Sequence, residues 1–469
     1  MESRRYLTNG YTISNDTWKT RLNNNDLICG ASGCGKTRGY VIPNIKMADH
    51  SMIICDTKGV LYGEYKEELR QKGFKVFNID FTSETSQCGY NPFRYIRRNS
   101  QTGLYREDDI QKLADAICPI ESSNDKFWEQ SAKMFLAALI AFTLEAYPVE
   151  YHNFETVRKL SVILGKAYEG AGADNDKQQR KWVQEKYVDK FNYSKPVEID
   201  EDGNEVYIMK KSEIVSAVHQ QPIVPYSFET MLSEHEEKYP KSIAAKIYNT
   251  FKCCANADKM YASIMGIVAE KLNFLVSNEQ IALYNNRRQI QFETLGKNKI
   301  ALFLTVSDVD RSKDKLVNIL YTQALDTLVR SADKDFSDHR LEVPVRFILD
   351  DFAAGAIIPE FDNIISVIRS REIYVSIIIQ SVSQLYDKYG EYKSATILNN
   401  CDHMIYLGGQ DVATAQYISA RANKTLSSII EQPLTATYLL ERGSKALLLY
   451  ETDTLNETMT MEKGGMCYE

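Results

Sequence analysis

The sequence predicts an α/β protein whose mainly parallel sheet has helices on both faces. Four short runs rich in β-branched and aliphatic residues are typical of buried parallel strands: Ser51 to Cys55, Ile300 to Val306, Val345 to Leu349 and Tyr374 to Ile379. Amphipathic helical patterns lie between many such runs, for example Leu61 to Lys72, which Gly73 closes. Strands that alternate with helices form a sheet between two helical layers.

Weaker apolar runs extend this predicted sheet. They are Leu27 to Cys29, Lys75 to Ile79, His403 to Leu407 and Ala446 to Tyr450. A further helical pattern covers Lys313 to Arg330. The strand runs therefore fall in the first quarter and the last two fifths of the chain.

The middle of the chain is predicted to be an all-α insertion. From about Glu107 to Ser277 helical periodicity dominates, most clearly over Lys126 to Ala146 and Ser242 to Phe274. Within it, residues 168–226 are polar and irregular, which favours a solvated surface insertion or small hairpin over a dedicated binding element. We divide the chain into an N-terminal segment (1–25), a sheet domain in two parts (26–105 and 278–469) and an inserted all-α domain (106–277).

One glycine-rich stretch indicates nucleotide binding. Residues Gly30 to Thr37 fit the pattern G-x-x-x-x-G-K-[ST], with a short apolar run before them and a helix-compatible run after them. The alternative is a glycine-rich turn that matches by chance, and in a chain of this length such a match is roughly a one-in-a-hundred event. The strand-loop-helix context therefore favours a phosphate-binding loop.

Each residue type in this loop suits a phosphate. The glycines let the backbone take positive φ and approach an oxyanion, and the following helix adds its N-terminal dipole. Lys36 is placed to reach the β- and γ-phosphates, and the Thr37 hydroxyl would complete the shell of a Mg²⁺ that bridges them. The predicted nucleotide-binding residues are Gly30, Ala31, Ser32, Gly33, Cys34, Gly35, Lys36, Thr37 and Arg38.

An acidic pair supplies the second half of a nucleotide site. The apolar run from Val345 leads into Asp350 and Asp351. A carboxylate at the carboxyl end of a buried parallel strand lies in the crevice where open α/β sheets bind ligands. We predict that Asp350 holds Mg²⁺ through water and that Asp351 polarises the attacking water. The alternative for Asp351 is a helix N-cap or turn residue.

Three further side chains complete the predicted constellation. The run Tyr374 to Ile379 leads into Gln380, whose amide would orient water or sense the γ-phosphate in the same crevice. Arg369 and Arg371 end a predicted helix just before that strand. An arginine at the domain edge can stabilise charge on a neighbouring subunit's nucleotide, an effect worth about 10³ to 10⁵ in rate. The alternative for either arginine is a cation that favours a helix C-terminus.

Composition describes a globular protein without a membrane span of its own. Hydrophobic residues make up 44% and charged residues 25% of the 469 residues. We find neither an apolar run long enough to span a bilayer nor a signal peptide, and therefore expect a cytoplasmic chain. The net charge of -7 argues against a protein that coats nucleic acid over its whole surface, although a local basic channel stays possible.

The cysteines argue against a zinc site or a disulfide framework. All nine are scattered, without a C-x-x-C pair or a partnered histidine spacing. Cys34 lies in the phosphate loop, where a free thiol fits a reducing compartment.

Motifs in a fixed order along the chain carry a family resemblance. After the phosphate loop come Arg38-Gly-Tyr-Val-Ile-Pro-Asn44, Cys55-Asp-Thr-Lys-Gly59, Tyr90-Asn-Pro92 and Asp125-Lys-Phe-Trp128. The acidic motif is followed by Ile358-Pro-Glu-Phe361, Ile368-Arg-Ser-Arg-Glu-Ile373, Ile379-Gln-Ser-Val-Ser-Gln-Leu385 and Tyr406-Leu-Gly-Gly-Gln-Asp411. In order and spacing, from Leu27 to Tyr450, these motifs resemble the type IV coupling proteins of conjugation, the TraG/TraD-type DNA-transfer ATPases.

The resemblance implies both an architecture and an activity. It implies a RecA-like nucleotide-binding domain with an inserted all-α domain, a homo-hexameric ring, and ATP with Mg²⁺ as cofactors. Such a motor brings relaxase-bound single-stranded DNA to the components of a type IV secretion channel. Carried over by motif, the phosphate-binding residues are Gly30 to Thr37, the Walker-B acid is Asp350, the glutamine sensor is Gln380 and the trans-acting arginine is Arg369.

The chain departs from the family pattern in three places. The family usually has Asp-Glu where this chain has Asp350-Asp351, and the shorter side chain withdraws the carboxylate by about 1.5 Å, so hydrolysis is expected to be slow or partner-dependent. Many members carry Glu where Val60 stands. The usual N-terminal membrane helices are absent, which leaves a separate membrane polypeptide, docking on membrane partners at the inner face of the membrane, or a truncated sequence.

Three functions stay open at this point. The leading hypothesis is an ATP-driven DNA translocase of conjugative transfer. The second is a nucleotide-gated platform that recruits relaxase or effector proteins with weak or partner-dependent hydrolysis. The third is a related ATPase that moves polypeptides or assembles a channel. The basic residues Arg94, Arg97 and Arg98 are more typical of a solvated surface cluster than of a DNA path.

Overall fold

A computed structural model describes residues 2–119, 126–167, 197–199, 205–207, 228–254, 258–352 and 357–450. Its strands are β1 (Arg4–Thr8), β2 (Tyr11–Ser14), β3 (Asp26–Cys29), β4 (Ser51–Asp56), β5 (Lys75–Asp80), β6 (Val197–Ile199), β7 (Glu205–Tyr207), β8 (Ile300–Thr305), β9 (Val345–Leu349), β10 (Ile373–Ile379), β11 (His403–Tyr406), β12 (Ala436–Glu441) and β13 (Leu447–Tyr450).

The α-helices of the described residues are Thr17–Thr20, Ile42–Met47, Val60–Gln71, Glu107–Ile117, Lys126–Ala146, Phe154–Ala167, Phe228–Lys238, Ile243–Cys254, Asp258–Asn273, Asn278–Asn285, Asp314–Asp335, Phe361–Val367, Val382–Asn399, Val412–Ala422 and Leu426–Ile430. None of them is both long and apolar enough to cross a bilayer.

Nine strands form one sheet in the order β13-β12-β11-β3-β10-β9-β4-β8-β5. The seven strands from β11 to β5 run parallel, whereas β12 pairs antiparallel with both β11 and β13. The predicted α/β class with a mainly parallel sheet is confirmed. Every apolar run predicted as a strand lies on a strand of this sheet, to within one residue at either end.

The two sheet faces explain the unbroken apolar strands. On one face Ile28, Ile54 and Ile348 pack with Leu7 and Val41. On the other face the alternate residues of the same strands pack against the helices of the middle region in one continuous core. A strand buried on both faces has no polar alternation, which is why it reads as a continuous hydrophobic run.

The helices between residues 107 and 285 surround the helix Lys126–Ala146, in which twelve residues are buried. The predicted helical stretch Ser242 to Phe274 is two helices, Ile243–Cys254 and Asp258–Asn273. The strands β6 and β7 pair as a small hairpin within the polar insertion, and the remainder of 168–226 lies outside the described residues. The division into domains stays a prediction.

Three strands were not predicted. The hairpin of β1 and β2 turns at Asn9 (φ 44°) and Gly10 (φ 80°), a dipeptide that favours the tight hairpin turn. The hairpin has a mostly polar sequence and therefore does not resemble a buried strand pair, although Arg5 and Leu7 are buried. In β12 only Tyr438 to Leu440 form an unbroken apolar run, which is too short to show a strand period.

Candidate nucleotide site

The loop Gly30 to Thr37 joins β3 to a helical turn at the carboxyl edge of the sheet. Cys29, the last residue of β3, lies opposite Ile379 of β10 and Tyr406 of β11. The Gly30 N–H donates to the Ile379 carbonyl over 3.2 Å, and the Ala31 N–H donates to the Gly408 carbonyl over 3.0 Å. Neighbouring strands therefore fix the beginning of the loop.

Glycine is required in this loop for two reasons. Gly33 and Gly35 have φ of 80° and 86°, and space around both is open. A Cβ on Gly30 would lie 2.6 Å from Cys34 Sγ and 2.9 Å from Leu407 Cβ, so close packing excludes a side chain there. Open space over two glycines in the left-handed region fits an anion held by backbone amides.

Lys36 is buried beneath the loop, with 8% of its surface exposed. Its Nζ donates to the carbonyl oxygens of Gly30 and Ala31 over 2.7 and 3.0 Å. An ammonium has three N–H donors, so one stays available for a phosphate oxygen. The side chain thus shapes the loop and places a positive charge under it.

Thr37 and Asp350 meet across the sheet edge. The Thr37 hydroxyl donates to Asp350 Oδ2 over 3.3 Å. Burial raises the pKa of the Asp350 carboxyl, and the charge of Asp351 raises it further. A hydroxyl and a carboxylate are hard oxygen ligands of the kind that Mg²⁺ takes beside a nucleotide, so this pair fits the predicted metal.

Asp351 lies in the turn after β9, in the left-handed region with φ of 51°. Its backbone N–H donates to Asp350 Oδ1 over 3.0 Å. Its own Oδ1 accepts a hydrogen bond from Gln380 Nε2 over 3.4 Å. The structure therefore brings Asp350, Asp351 and Gln380 together at the loop, as the sequence predicts, while their roles stay proposals.

Arg369 lies at the opposite edge of the sheet. It belongs to the turn Ile368–Arg371, which leads into the amino end of β10, and its side chain is exposed. No hydrogen bond or ion pair joins that side chain to another of the described residues. Arg371, in contrast, is engaged within the chain, because its Nε and Nη2 bond to Asp333 over 2.8 and 3.1 Å.

A pocket of about 210 Å³ opens beside the beginning of the loop. Ser32, Gln380, Gln384 and Asp411 are among its lining residues. Asp411 accepts hydrogen bonds from the Ser383 hydroxyl over 2.8 Å and from the Thr414 N–H over 2.8 Å, which caps the helix Val412–Ala422. No site role was predicted for Asp411 or Gln384; the available signal for Asp411 was the position of Gly408 to Asp411 directly after the predicted strand His403 to Leu407.

A match over most of the sequence identifies the family. The family described as "Type IV secretory system Conjugative DNA transfer" matches residues 3–428. The chain belongs to this family. No match was found among curated proteins.

Solved structures of TrwB and VirB4 share the fold of this family member. The plasmid coupling protein TrwB in complex with ADP and Mg²⁺ has a TM-score of 0.58 and 14% identity, over 98% of this chain and 92% of that chain. TrwB with the GTP analogue GDPNP has a TM-score of 0.58 and 13% identity, over 96% and 90%. VirB4 of Thermoanaerobacter pseudethanolicus has a TM-score of 0.50 and 14% identity, over 97% of both chains. At these identities the likeness shows the fold alone, an α/β fold that the chain shares with the TrwB structures.

The basic cluster of this conjugative-transfer protein is mostly engaged within the chain. Arg97 Nε donates to Asp109 Oδ2 over 2.7 Å, and the Arg98 guanidinium lies 4.2 Å from the centre of the Tyr105 ring. Two of the three arginines are therefore held by contacts within the chain, and their assignment to a solvated surface cluster stays a prediction.

Proposed function

We propose that the protein is an ATP-driven coupling protein that delivers relaxase-bound single-stranded DNA to a type IV secretion channel during conjugation. The observation that carries the proposal is the contact of Thr37 with Asp350 over 3.3 Å, beside a glycine loop whose shape fits a phosphate. These are the two halves of an NTPase site, and the chain belongs to a conjugative DNA-transfer family.

The residues of the site divide the work as follows. The amides of residues 33 to 37 and the Lys36 ammonium bind the phosphates, and Thr37 and Asp350 orient the metal. Asp351 accepts a hydrogen bond from Gln380, and together they orient water toward the γ-phosphate. ATP would supply the transferable phosphoryl group, and Mg²⁺ held by Thr37 and Asp350 would neutralise charge on its oxygens.

The position of Arg369 supports a shared site. Arg369 is exposed, has no hydrogen-bond or ion-pair partner among the described residues, and lies on the edge opposite the phosphate loop, so it suits the nucleotide of a neighbouring subunit rather than its own. A contact between opposite edges is head-to-tail, and such contacts form a ring when the rotation between subunits closes. We infer a homo-hexamer that docks at the inner face of the membrane through the secretion channel or a separate membrane protein.

A second candidate is a nucleotide-gated platform for relaxase or effector proteins. The Asp351 side chain is short, and its Oδ1 already accepts a hydrogen bond from the Gln380 amide, which favours slow hydrolysis. In that case ATP would control assembly, and single-stranded DNA would leave the hydrolysis rate unchanged.

The test is ATP hydrolysis by the purified protein with and without single-stranded DNA at low salt, where phosphate contacts are strongest. We expect stimulation by single strands, and none in the Lys36→Ala variant. Rings that bind no single-stranded DNA at low salt would contradict the proposal. Hydrolysis stimulated by a polypeptide substrate instead would support the protein-translocating alternative.

A further inference from the structure

A buried charge cluster lies at the amino ends of the strands that carry the nucleotide site. Its centre is Asp26, the first residue of β3. Arg5 Nε lies 3.0 Å and Arg346 Nη1 3.2 Å from Asp26 Oδ2. The His403 ring nitrogen Nδ1 lies 3.5 Å from Asp26 Oδ1. None of these four residues is more than 1% exposed.

Asp26 is ionised in this cluster. Burial alone would raise its pKa, but the charges of Arg5 and Arg346 hold the pKa of this carboxyl below its usual value. Buried ion pairs contribute little net stability compared with apolar packing, because desolvation offsets their attraction. The cluster is therefore better explained by the geometry that it imposes on its neighbours.

Tyr40 connects the cluster to the phosphate loop. Its hydroxyl donates to Asp26 Oδ2 over 2.6 Å and lies 2.7 Å from the Ser376 hydroxyl. Tyr40 belongs to the π-helical turn Thr37–Val41 directly after the loop, whereas Asp26 lies on the strand directly before it. One hydrogen bond to a charged group therefore closes the base of the loop.

The same cluster holds four strands in position. Asp26 is on β3, which leads to the loop, and Arg346 is on β9, which leads to Asp350. Ser376 accepts from Arg346 Nη1 over 3.0 Å and is on β10, which leads to Gln380. His403 begins β11, which leads to the pocket wall. All four strands end at the site, so a shift at the cluster, which meets β10 at its middle residue Ser376, would change the geometry of the site.

The N-terminal hairpin takes part through Arg5. In addition to Asp26, Arg5 contacts His403 Nδ1 over 3.0 Å and the Asn24 side-chain oxygen over 2.7 Å. Arg5 is on β1, outside the sheet that carries the loop. A displacement of the hairpin would therefore remove one of the two guanidinium partners of Asp26.

We propose that Tyr40 and Asp26 are positioning residues that preform the phosphate loop, and that Arg5 couples the N-terminal hairpin to nucleotide affinity. The inference rests on the proposed nucleotide site. A loop that is preformed in every molecule binds nucleotide with its intrinsic Kd. When the loop is formed in only a fraction of molecules, the apparent Kd is the intrinsic Kd divided by that fraction. Breaking the cluster should therefore weaken nucleotide binding from a distance.

The test compares Tyr40→Phe with the matched control Tyr284→Phe. Tyr284 is 3% exposed and its hydroxyl donates to the Leu275 carbonyl over 2.8 Å, in the helical region. Each variant loses buried hydrogen bonding while keeping the ring. We expect both to lower Tm, but only Tyr40→Phe to raise the Kd for ADP with Mg²⁺, by about three- to tenfold.

Two results would overturn the inference: an unchanged Kd in Tyr40→Phe, or an equal rise in Tyr284→Phe, which would reduce the effect to general stability. Arg5→Met, which keeps the aliphatic stem, should raise the Kd for ADP as well. An unchanged Kd would show that the hairpin does not influence nucleotide affinity. A different result would refute the proposed nucleotide site itself: the unmodified protein binds no ADP, or Lys36→Ala binds ADP with the same Kd as the unmodified protein.

Discussion

Asp351 is the residue on which the proposed hydrolysis depends most. Two substitutions separate its charge from its reach: Asp351→Asn removes the charge at constant size, and Asp351→Glu extends the carboxylate by about 1.5 Å. Both keep a group that can accept the hydrogen bond of Gln380, now at 3.4 Å.

The backbone at Asp351 sets the stability cost of each change. At φ of 51° Asn is tolerated as well as Asp, so Asp351→Asn should change the free energy of unfolding by no more than about 0.5 kcal/mol. Glu lacks the short polar side chain that suits this region, so Asp351→Glu should lose about 1 kcal/mol.

Turnover should change in opposite directions. A positioned base contributes about 10² to 10⁴ in rate, so Asp351→Asn should lower kcat by that factor. Asp351→Glu should raise kcat, because the longer carboxylate reaches further toward the γ-phosphate. The assay is steady-state ATP hydrolysis at saturating single-stranded DNA, with the Kd for ADP and Mg²⁺ as the control for an intact site. A kcat in Asp351→Asn equal to that of the unmodified protein would refute the assignment and favour the recruitment platform.

Three further predictions follow from named contacts. Gly30→Ala forces a Cβ to within 2.6 Å of Cys34 Sγ and should lower the free energy of unfolding in urea by about 1 to 3 kcal/mol. The control Gly63→Ala, in open space on a helix, should raise it by about 0.5 to 1 kcal/mol. Equal effects of the two substitutions would contradict the packing argument. Burial and then the charge of Asp351 raise the pKa of Asp350, so stability falls as pH rises from the ordinary carboxyl pKa to this raised pKa, and the loss stays constant above it. Binding of Mg²⁺ with ADP needs the ionised carboxylate and should therefore fail on acidification at a higher pH than in Asp351→Asn; acid limbs that coincide in the two proteins would be evidence against the coupling. Arg371→Ala breaks the paired contact with Asp333 and should lower the free energy of unfolding by about 0.5 to 1 kcal/mol. Arg369→Ala should leave Tm unchanged and abolish hydrolysis. A lowered Tm in Arg369→Ala would reveal an internal partner.

Much of the fold was predictable because its central strands are buried on both faces. Runs such as Val345–Leu349 carry enough apolar residues to be recognised without tertiary information. The β1–β2 hairpin was not recognised, because the charge of Arg5 is buried among partners that include Asp26 and His403, which are distant in sequence. Local patterns treat such a residue as solvated.

The site was predictable to the extent that each residue follows a strand. Gly30, Asp350 and Gln380 each come directly after an apolar run, and the carboxyl ends of parallel strands share one edge. The left-handed conformation of Asp351 and the hydrogen bond of Tyr40 to Asp26 were not predictable, because both depend on strand order and register.

The central claim is that two subunits complete one nucleotide site. The most direct test mixes two inactive variants, Lys36→Ala and Arg369→Ala, and measures ATP hydrolysis. In rings mixed from equal amounts of the two variants, about one quarter of the interfaces would join an intact phosphate loop to an intact Arg369. We therefore expect recovery of about a quarter of the activity of the unmodified protein. A mixture that forms rings with a non-hydrolysable ATP analogue and stays inactive would contradict it.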